Sequence, residues 1–398
     1  MSRVAIVSAV RTPIGRYGGA LKDVHEADLA ALVICVAVNR AGVDPASVEE
    51  VIMGHCLVNG ETPNVARLGA LKAGLPIEVP AYTLDRQCSS GLQAIVNGAL
   101  LIKSGEADVV VAGGVESMSR GDHYTLDARW GTRMGDITMH DRFTRLAVTT
   151  SCPDACGPID GMIGTAEKVA EERGITREEA DEFALRSQRN ASAAMQAGKF
   201  DDEIIPVTVP GRRGQVNTIS QDEGPRPDAS LEALAKLPPV QGGVVTAGNA
   251  STLNDAAAAV VLMSDSRARE LGVEPLGYLR SWAAAGVHPH VMGVGPVPAI
   301  RKALGKAALT LEDMDLIELN EAFAVQALAV LKDLGVTDFS KLNVNGSGIS
   351  LGHPVGATGA RMMATLLYEM KRRDARYGLE TMCIGGGQGL AAVVERDV

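Results

Sequence analysis

Two cysteines and one histidine lie where a reactive side chain could work. Cys88 sits in DRQCSSGLQAIVNGALL, after a strand-like run and at the opening of a helix. A thiol there feels the positive end of the helix dipole and nearby unpaired N–H groups, both of which favour the thiolate nucleophile. Ser89, Ser90 and Gly91 are small and leave space for a substrate. His353 sits in NGSGISLGHPVGATGAR. The glycines let backbone approach a ligand closely, and Pro354 stiffens the turn behind the imidazole. Cys383 sits in MCIGGGQG, at a strand end entering a tight turn, where exposed backbone N–H groups could receive an oxyanion. A thiolate nucleophile, and backbone N–H groups able to hold an oxyanion, are the chemistry these settings could offer.

Each residue also has a plainer reading. Cys88 and Cys383 could be small buried hydrophobes, and His353 a loop histidine satisfied by a carbonyl. Asn320, at the start of NEAFA, reads first as a helix N-cap and could also hold a water or a carbonyl oxygen; Phe323 in the same motif reads equally as core. No metal site is expected. Cys152 and Cys156 have no second pair, and His288 and His290 lie in a Pro-rich turn. AGGVES and IGGGQG lack the β-α-β unit and later acidic residue of a dinucleotide fingerprint.

The elements that must position these groups follow a β/α rhythm. RVAIVSAV reads as a buried strand, ADLAALVICVAVNRAG as a helix capped at Gly42, and EEVIMGHCL as a strand. YTLDRQCSSGLQAIVNGALLIKSGEADVVVAGGVESMS then reads strand, turn, helix, strand. Residues 121–245 differ, being rich in Pro, Gly and charge. They read as a partly helical insertion lying over the first half, with a strong helix that begins at the capping box of Thr176 and Glu179. From 246 the rhythm returns. TAGNASTLNDAAAAVVLM reads as loop, helix and strand, and the last segment as a hairpin turned by GGGQG. ADVVVAGGVES and TMCIGGGQGLAAVVE echo each other, which hints at duplicated halves without settling it. The expected divisions are 1–120 with 246–270, the insertion 121–245, and 271–398.

Bulk properties bound what such a chain can do. Its 398 residues suggest two or three domains, and 46% hydrophobic with 22% charged residues is an ordinary globular balance. Aromatic residues are 3% and glycines number 44, so packing rests on Ala, Val, Leu and Ile. The net charge of -10, with no long basic run, argues against a nucleic-acid partner. It also means that an anionic ligand needs local basic groups, for which Arg212, Arg213 and Arg226 are candidates. No apolar run approaches the ~20 residues that span a bilayer, so no membrane association is expected. The start reads as neither a signal nor a transit peptide, and six cysteines do not make a disulfide scaffold at this length. A reducing cytoplasm is the expected location.

The motifs taken together resemble the thiolase family. VAIVSAVRTPIGRYGGAL, CSSGLQAI, AGGVESMS, VTAGNASTLNDAAAAV, NEAFA, NVNGSGISLGHPVGATGAR and CIGGGQGLA occur in family order over nearly the whole chain. The resemblance implies an α/β fold of duplicated α-β-α-β-α layers with a large inserted loop region. It implies an acyl-CoA C-acetyltransferase acting on acetyl-CoA, acyl-CoA or 3-ketoacyl-CoA, with coenzyme A as substrate or product, no tightly bound cofactor, and a homodimer or homotetramer. Cys88 matches the acylated nucleophile, Cys383 the acid/base, and His353 the residue that activates Cys88 and donates to the thioester oxygen. Asn320 matches a water-holding residue of that first oxyanion hole, and the N–H groups of Cys88 and Gly385 match the second. Ser251 matches a contact to pantetheine. Ala250, Phe323, Met162 and Arg226 are further candidate substrate contacts.

Three departures from the family pattern stand out, the first bearing on acyl recognition, the second on the pantetheine tunnel, and the third keeping its small residues. Gly161 stands before Met162 where short-chain members have His, Thr252 replaces a usual Gly beside Ser251, and NGSGISLGHP replaces the commoner NGGAIALGHP. Two other readings compete. Condensing enzymes of fatty-acid or polyketide synthesis usually pair one Cys with two His, or with His and Asn, which Cys383 argues against. A non-catalytic lipid-binding relative is opposed by the intact Cys88, His353 and Cys383.

Overall fold

The structure is a computed structural model that describes residues 3–151, 153–211 and 215–398. In chain order its regular elements begin with β1 (Val4–Arg11), β2 (Gly15–Arg16), α1 (Glu26–Ala41), β3 (Glu50–Gly54), α2 (Val65–Lys72), β4 (Ala81–Leu84), α3 (Ser90–Ser104) and β5 (Val109–Ser117). The insertion contributes β6 (His123–Tyr124), β7 (His140–Asp141), α4 (Arg142–Thr149), α5 (Pro153–Cys156), α6 (Gly161–Arg173), α7 (Arg177–Gln196), β8 (Val207–Pro210), β9 (Val216–Ile219) and α8 (Leu231–Ala235). Then come β10 (Asn254–Ser264), α9 (Asp265–Leu271), β11 (Gly277–Gly286), α10 (Pro296–Ala307), β12 (Leu316–Leu319), α11 (Ala324–Leu334), α12 (Thr358–Arg373), β13 (Tyr377–Ile384) and β14 (Gln388–Glu395).

The main sheet runs in the order β12-β13-β14-β11-β1-β10-β5-β3-β4, with β2 paired to β10. Its two sides match. β4, β3 and β5 are parallel neighbours, and β5 meets β10 antiparallel; β12 and β13 are parallel, and β13 meets β14 antiparallel. The parallel bridge between Ile317 and Leu342 stands where β4 stands in the first half. An antiparallel pairing of Ala5 and Ile6 with Tyr278 and Gly277 joins the halves. The faint echo in the sequence therefore marks equivalent strands, β5 and β13. Cys88 precedes α3 in one half, and His353 precedes α12 in the other.

Three large apolar clusters, one around each helical layer, hold the two sides of the sheet between them. Residues of α1 and α2 pack on one face of the first half, α3 and α12 fill the space between the halves, and α10 and α11 cover the far face of the second. Strand β10 shows the logic. Ala257, Ala259, Val261 and Met263 face the α1 side, while Ala258, Val260 and Leu262 face the central helices. Both faces are buried, so the alanines that suggested a helix in NDAAAAVVLM belong to a strand. Small side chains let the central layer come close, and burial on two faces overrides the helical preference of Ala.

The expected helix ends are observed. Gly42 closes α1 in the left-handed conformation, and Thr176 and Glu179 form a reciprocal capping box at α7. The placement of the insertion differs from expectation. Ala166, Val169, Ala170, Phe183 and Ala184 of α6 and α7 pack with α10 and α11, so the insertion's main apolar contact is with the second half. The far end of α7 reaches the first half through Ala191 and Ala194 beside Ile14 and Ala256.

A buried ion cluster ties the insertion to β1. Arg11 donates from Nε to Glu203 at 2.6 Å and from both terminal nitrogens to Asp222 at 2.7 and 2.9 Å, and neither pair is exposed to solvent. Replacing Arg11 by Met leaves two buried carboxylates without their cation. We expect a loss of about 3–5 kcal/mol of unfolding free energy, read by denaturant titration; a loss under 1 kcal/mol would show that the pair does not anchor the insertion.

Candidate active site

Cys88 occupies a short 3-10 turn, Gln87–Ser89, between β4 and α3. Its neighbour Gln87 holds a positive φ of 48°, a strained backbone that fixes how the turn presents the thiol. The turn packs against the start of α12 because Gly91 has no side chain: a Cβ there would lie 2.8 Å from the Ala360 nitrogen. The sulfur lies within reach of two backbone N–H groups, those of Gly385 and of Cys88 itself. Their effect is outweighed. Burial pushes the Cys88 thiol up to about 11, and the two N–H groups only lessen that rise. The helix-dipole expectation of a resting thiolate is thus corrected: Cys88 stands one turn outside α3, and desolvation of the charged sulfur dominates.

Cys383 is fully buried on β13, opposite Gly389 of β14, in the hairpin that the GGGQG segment closes. Its thiol is pushed well above the ordinary range, first by burial and then by Cys88 beside it. Gly385 follows in the turn, where any Cβ would strike Thr150 Cγ2 at 2.5 Å. Gly386 and Gly387 hold φ of 83° and 82°, so the tight turn needs them.

His353 is buried in the loop before α12. Its backbone N–H donates to Asn254 Oδ1 at 2.9 Å, and its Nδ1 lies 2.7 Å from Thr358 Oγ1. Thr358 spends its single hydroxyl proton on the Pro354 carbonyl at 2.8 Å. The imidazole must then be the donor at Nδ1, which leaves Nε2 as an acceptor faced only by the Asn320 amide at 3.5 Å. Burial, and then the Arg361 cation, hold the imidazole down to about 3, so it rests neutral. Asn320 lies just past β12 and is not an N-cap; Phe323 starts α11 without a side-chain cap. The Asn320 amide nitrogen is 3.5 Å from both ring nitrogens, and its Oδ1 is buried without a partner. A buried acceptor left open is the kind of group that a bound water satisfies.

The structure therefore sets Cys88 beside Cys383 and Gly385, and Asn320 beside His353; the two groups approach where Gly91, three residues past Cys88, packs on Gly356 and Ala360 after His353. A cleft of about 360 Å³ lies between the insertion and the first half and is lined by Ser251, Thr252, Gln188 and Arg226 together with Arg16 and Tyr17. Arg226 is exposed at this cleft, as is Arg16. Ala250 and Phe323 form an isolated bridge next to Ser251, whose N–H donates to the Ala322 carbonyl at 2.9 Å; the Phe323 ring belongs to the apolar core of the second half. Met162 is half-buried in the first turn of α6 and packs on that same core, outside the cleft lining. Arg212 and Arg213 lie outside the described residues. Thr358, Asn254, Gln188 and Arg16 escaped sequence reasoning. Their roles depend on partners between five and roughly 240 positions away, which no local spacing encodes. Among the described residues no His, Cys, Asp and Glu side chains cluster as a metal site, and no helix is long and apolar enough to cross a membrane.

Two family models cover nearly all of the chain: "Thiolase, N-terminal domain" matches residues 4–266, and "Thiolase, C-terminal domain" matches residues 273–396. The chain belongs to the thiolase family. It is an acyltransferase of that family, built on the thiolase fold. Among its relatives is an acetyl-CoA acetyltransferase of Cupriavidus necator, 51% identical over the full length of both chains. A beta-ketothiolase of the same organism is 49% identical, with 99% of each chain covered. Among solved structures, the acetyl-CoA acetyltransferase of Bacillus anthracis superposes with a TM-score of 0.95 at 48% identity, covering 99% of each chain. Human mitochondrial 3-ketoacyl-CoA thiolase in complex with CoA gives 0.94 at 43% identity, covering 100% of this thiolase and 98% of that chain.

One consequence is measurable on the thiol itself. With Cys88 raised to about 11 and His353 neutral, alkylation of Cys88 by iodoacetamide should rise about tenfold per pH unit from 7 to 9. A plateau near pH 7 would instead mark a stabilised thiolate.

Proposed function

We propose that this chain catalyses the reversible Claisen condensation of acetyl-CoA with an acyl-CoA, and the thiolysis of 3-ketoacyl-CoA, through an acyl group carried on Cys88. The reading is supported by the protonated Cys88 beside protonated Cys383 and two sulfur-facing N–H groups, on a segment whose Gly91 packs just past a neutral His353 able to accept at Nε2. In thiolysis, Cys88 sulfur attacks the 3-keto carbon while its proton passes to His353 Nε2. The C2–C3 bond breaks, its electron pair forms the enolate of acetyl-CoA, and Cys383 delivers its proton to C2. The Cys383 thiolate then recovers a proton from His353; the incoming CoA thiol gives its own proton to His353 as it attacks the Cys88 thioester, and the released Cys88 sulfur takes that proton back. The N–H groups of Cys88 and Gly385 receive the first oxyanion, and protonated His353 with a water on Asn320 receives the enolate oxygen. Because an ion pair of Cys88 and His353 is disfavoured at rest, the proton moves as sulfur attacks.

Coenzyme A is assigned to the cleft beside Ser251, where Arg226 and Arg16 supply the positive groups that an acidic protein otherwise lacks. In this reading residues 1–120 with 246–270 form one half and 271–398 the other, while 121–245 supply one wall of the cleft. Gly161 stands where the resemblance places a histidine in short-chain members, so acceptance of chains longer than acetoacetyl is part of the proposal. A homodimer or homotetramer is supported by the exposed Trp130 and Met134, each 93% exposed in the insertion. A reducing, cytoplasmic setting belongs to the same proposal, because the chemistry assigned to Cys88 and Cys383 needs both thiols reduced. The test is CoA-dependent cleavage of 3-ketoacyl-CoA substrates of increasing length, compared by kcat/KM. We expect acetyl-CoA in equal amount to the CoA consumed. Activity on acyl-carrier-protein thioesters alone, or on none, would refute the proposal.

A further inference from the structure

The AGGVES stretch on β5 has a role that the reaction scheme does not use. Its glycines admit the loop that follows His353: a Cβ on Gly114 would lie 1.9 Å from the Gly356 carbonyl oxygen. Gly356 in turn rests against Glu116, where its own Cβ would lie 2.9 Å from Oε2. The Glu116 side chain is completely buried and accepts three backbone N–H groups. Cys56 donates to Oε2 at 3.0 Å, Leu57 to Oε1 at 3.2 Å, and Gly356 to Oε2 at 2.9 Å. Buried His55 places Nε2 at 3.3 Å from Oε1.

Two of these donors, Cys56 and Gly356, each lead to one half of the site. Cys56 Sγ donates to the Gln87 carbonyl at 3.2 Å and lies 3.4 Å from Ser90 Oγ. Ser90 Oγ donates to that same carbonyl at 2.7 Å and accepts the Arg86 N–H at 2.8 Å. The residues on both sides of Cys88 are thereby fixed to the segment that Glu116 holds. Gly356 is three residues past His353, in the tight turn that starts α12. One carboxylate thus spans the nucleophile turn of the first half and the histidine loop of the second.

We propose that Glu116 is a positioning residue that holds the Cys88 turn and the His353 loop in register for acyl transfer. This inference rests on the roles of Cys88 and His353 proposed above. Register matters because a thiol and a base displaced by about 1 Å lose about 100-fold in rate. Glu116→Gln keeps the shape but must set an NH2 group against at least one N–H donor, since both carboxylate oxygens accept.

In the full-length protein, Glu116→Gln should lower kcat for 3-ketoacyl-CoA thiolysis about 100-fold while KM stays within about threefold. Acetylation of Cys88 by acetyl-CoA, followed by intact mass, should slow by the same factor. A purely structural role would reduce the number of folded molecules and leave turnover unchanged per Cys88 site titrated to completion with iodoacetamide. That result overturns the proposal, as does a raised KM with unchanged kcat. Glu116→Asp retains both acceptors but falls short by one methylene, about 1.5 Å. It should lose about tenfold in kcat with unchanged KM, and it carries the test alone if the Gln variant does not fold; wild-type kcat per site in the Asp variant overturns the proposal. Cys88→Ala is run alongside: if it still forms acyl-enzyme, the reading of Cys88 fails independently of Glu116.

Discussion

Cys88→Ala should abolish acyl-enzyme formation and lower thiolysis by about 10⁴-fold or more, the scale seen when a covalent nucleophile is removed from its site. The substitution deletes one sulfur from a 3-10 turn and leaves the backbone N–H of residue 88 in place. Folding should therefore be retained, and the loss should fall on chemistry. Intact mass after incubation with acetyl-CoA reads the first effect, and steady-state CoA consumption reads the second. An acetyl adduct stable in the variant, or thiolysis at the wild-type rate, would remove Cys88 from the reaction. The backbone donors alone should leave a small residual rate, because they still face the position of the oxyanion.

Cys383→Ala separates the two half-reactions. The variant should still take an acetyl group from acetyl-CoA onto Cys88 and exchange it with free CoA. It should fail at carbon–carbon bond formation by about 10²–10⁴-fold, the usual contribution of a positioned proton carrier. The side chain is fully buried on β13 with its thiol protonated, and no other thiol is placed there by the hairpin. Isotope exchange between labelled CoA and acetyl-CoA reads the first step, and condensation of acetyl-CoA reads the second. Equal loss of both steps would mean that Cys383 supports the pocket instead of carrying the α-proton. Normal condensation would exclude it altogether.

Much of this organisation is visible in the linear chain because it is locally encoded. Hydrophobic runs marked β1, β3 and β5; Gly42 and the Thr176–Glu179 box marked helix ends; GGGQG marked the final hairpin. In each case the signal and the structure it produces lie within a few residues of each other. The alanine run of β10 misled because its preference for helix is a local property, whereas its burial on two faces is not. The insertion's main contact with α10 and α11 was likewise invisible, since it depends on which apolar stripe of α6 and α7 meets a partner far along the chain.

The same division holds at the site. By itself the sequence determined the reactive residue types, their glycine-rich settings and, through the order of seven motifs, the family and its acyl-transfer chemistry. Only the tertiary structure decided their protonation: burial makes Cys88 a thiol, and the Thr358 contact together with burial makes His353 a neutral base able to accept at Nε2. Only it could show that Glu116 spans the two loops. Protonation and register are set by desolvation and by hydrogen bonds between residues that the duplicated halves bring together from opposite parts of the chain, and no local pattern of residues records either.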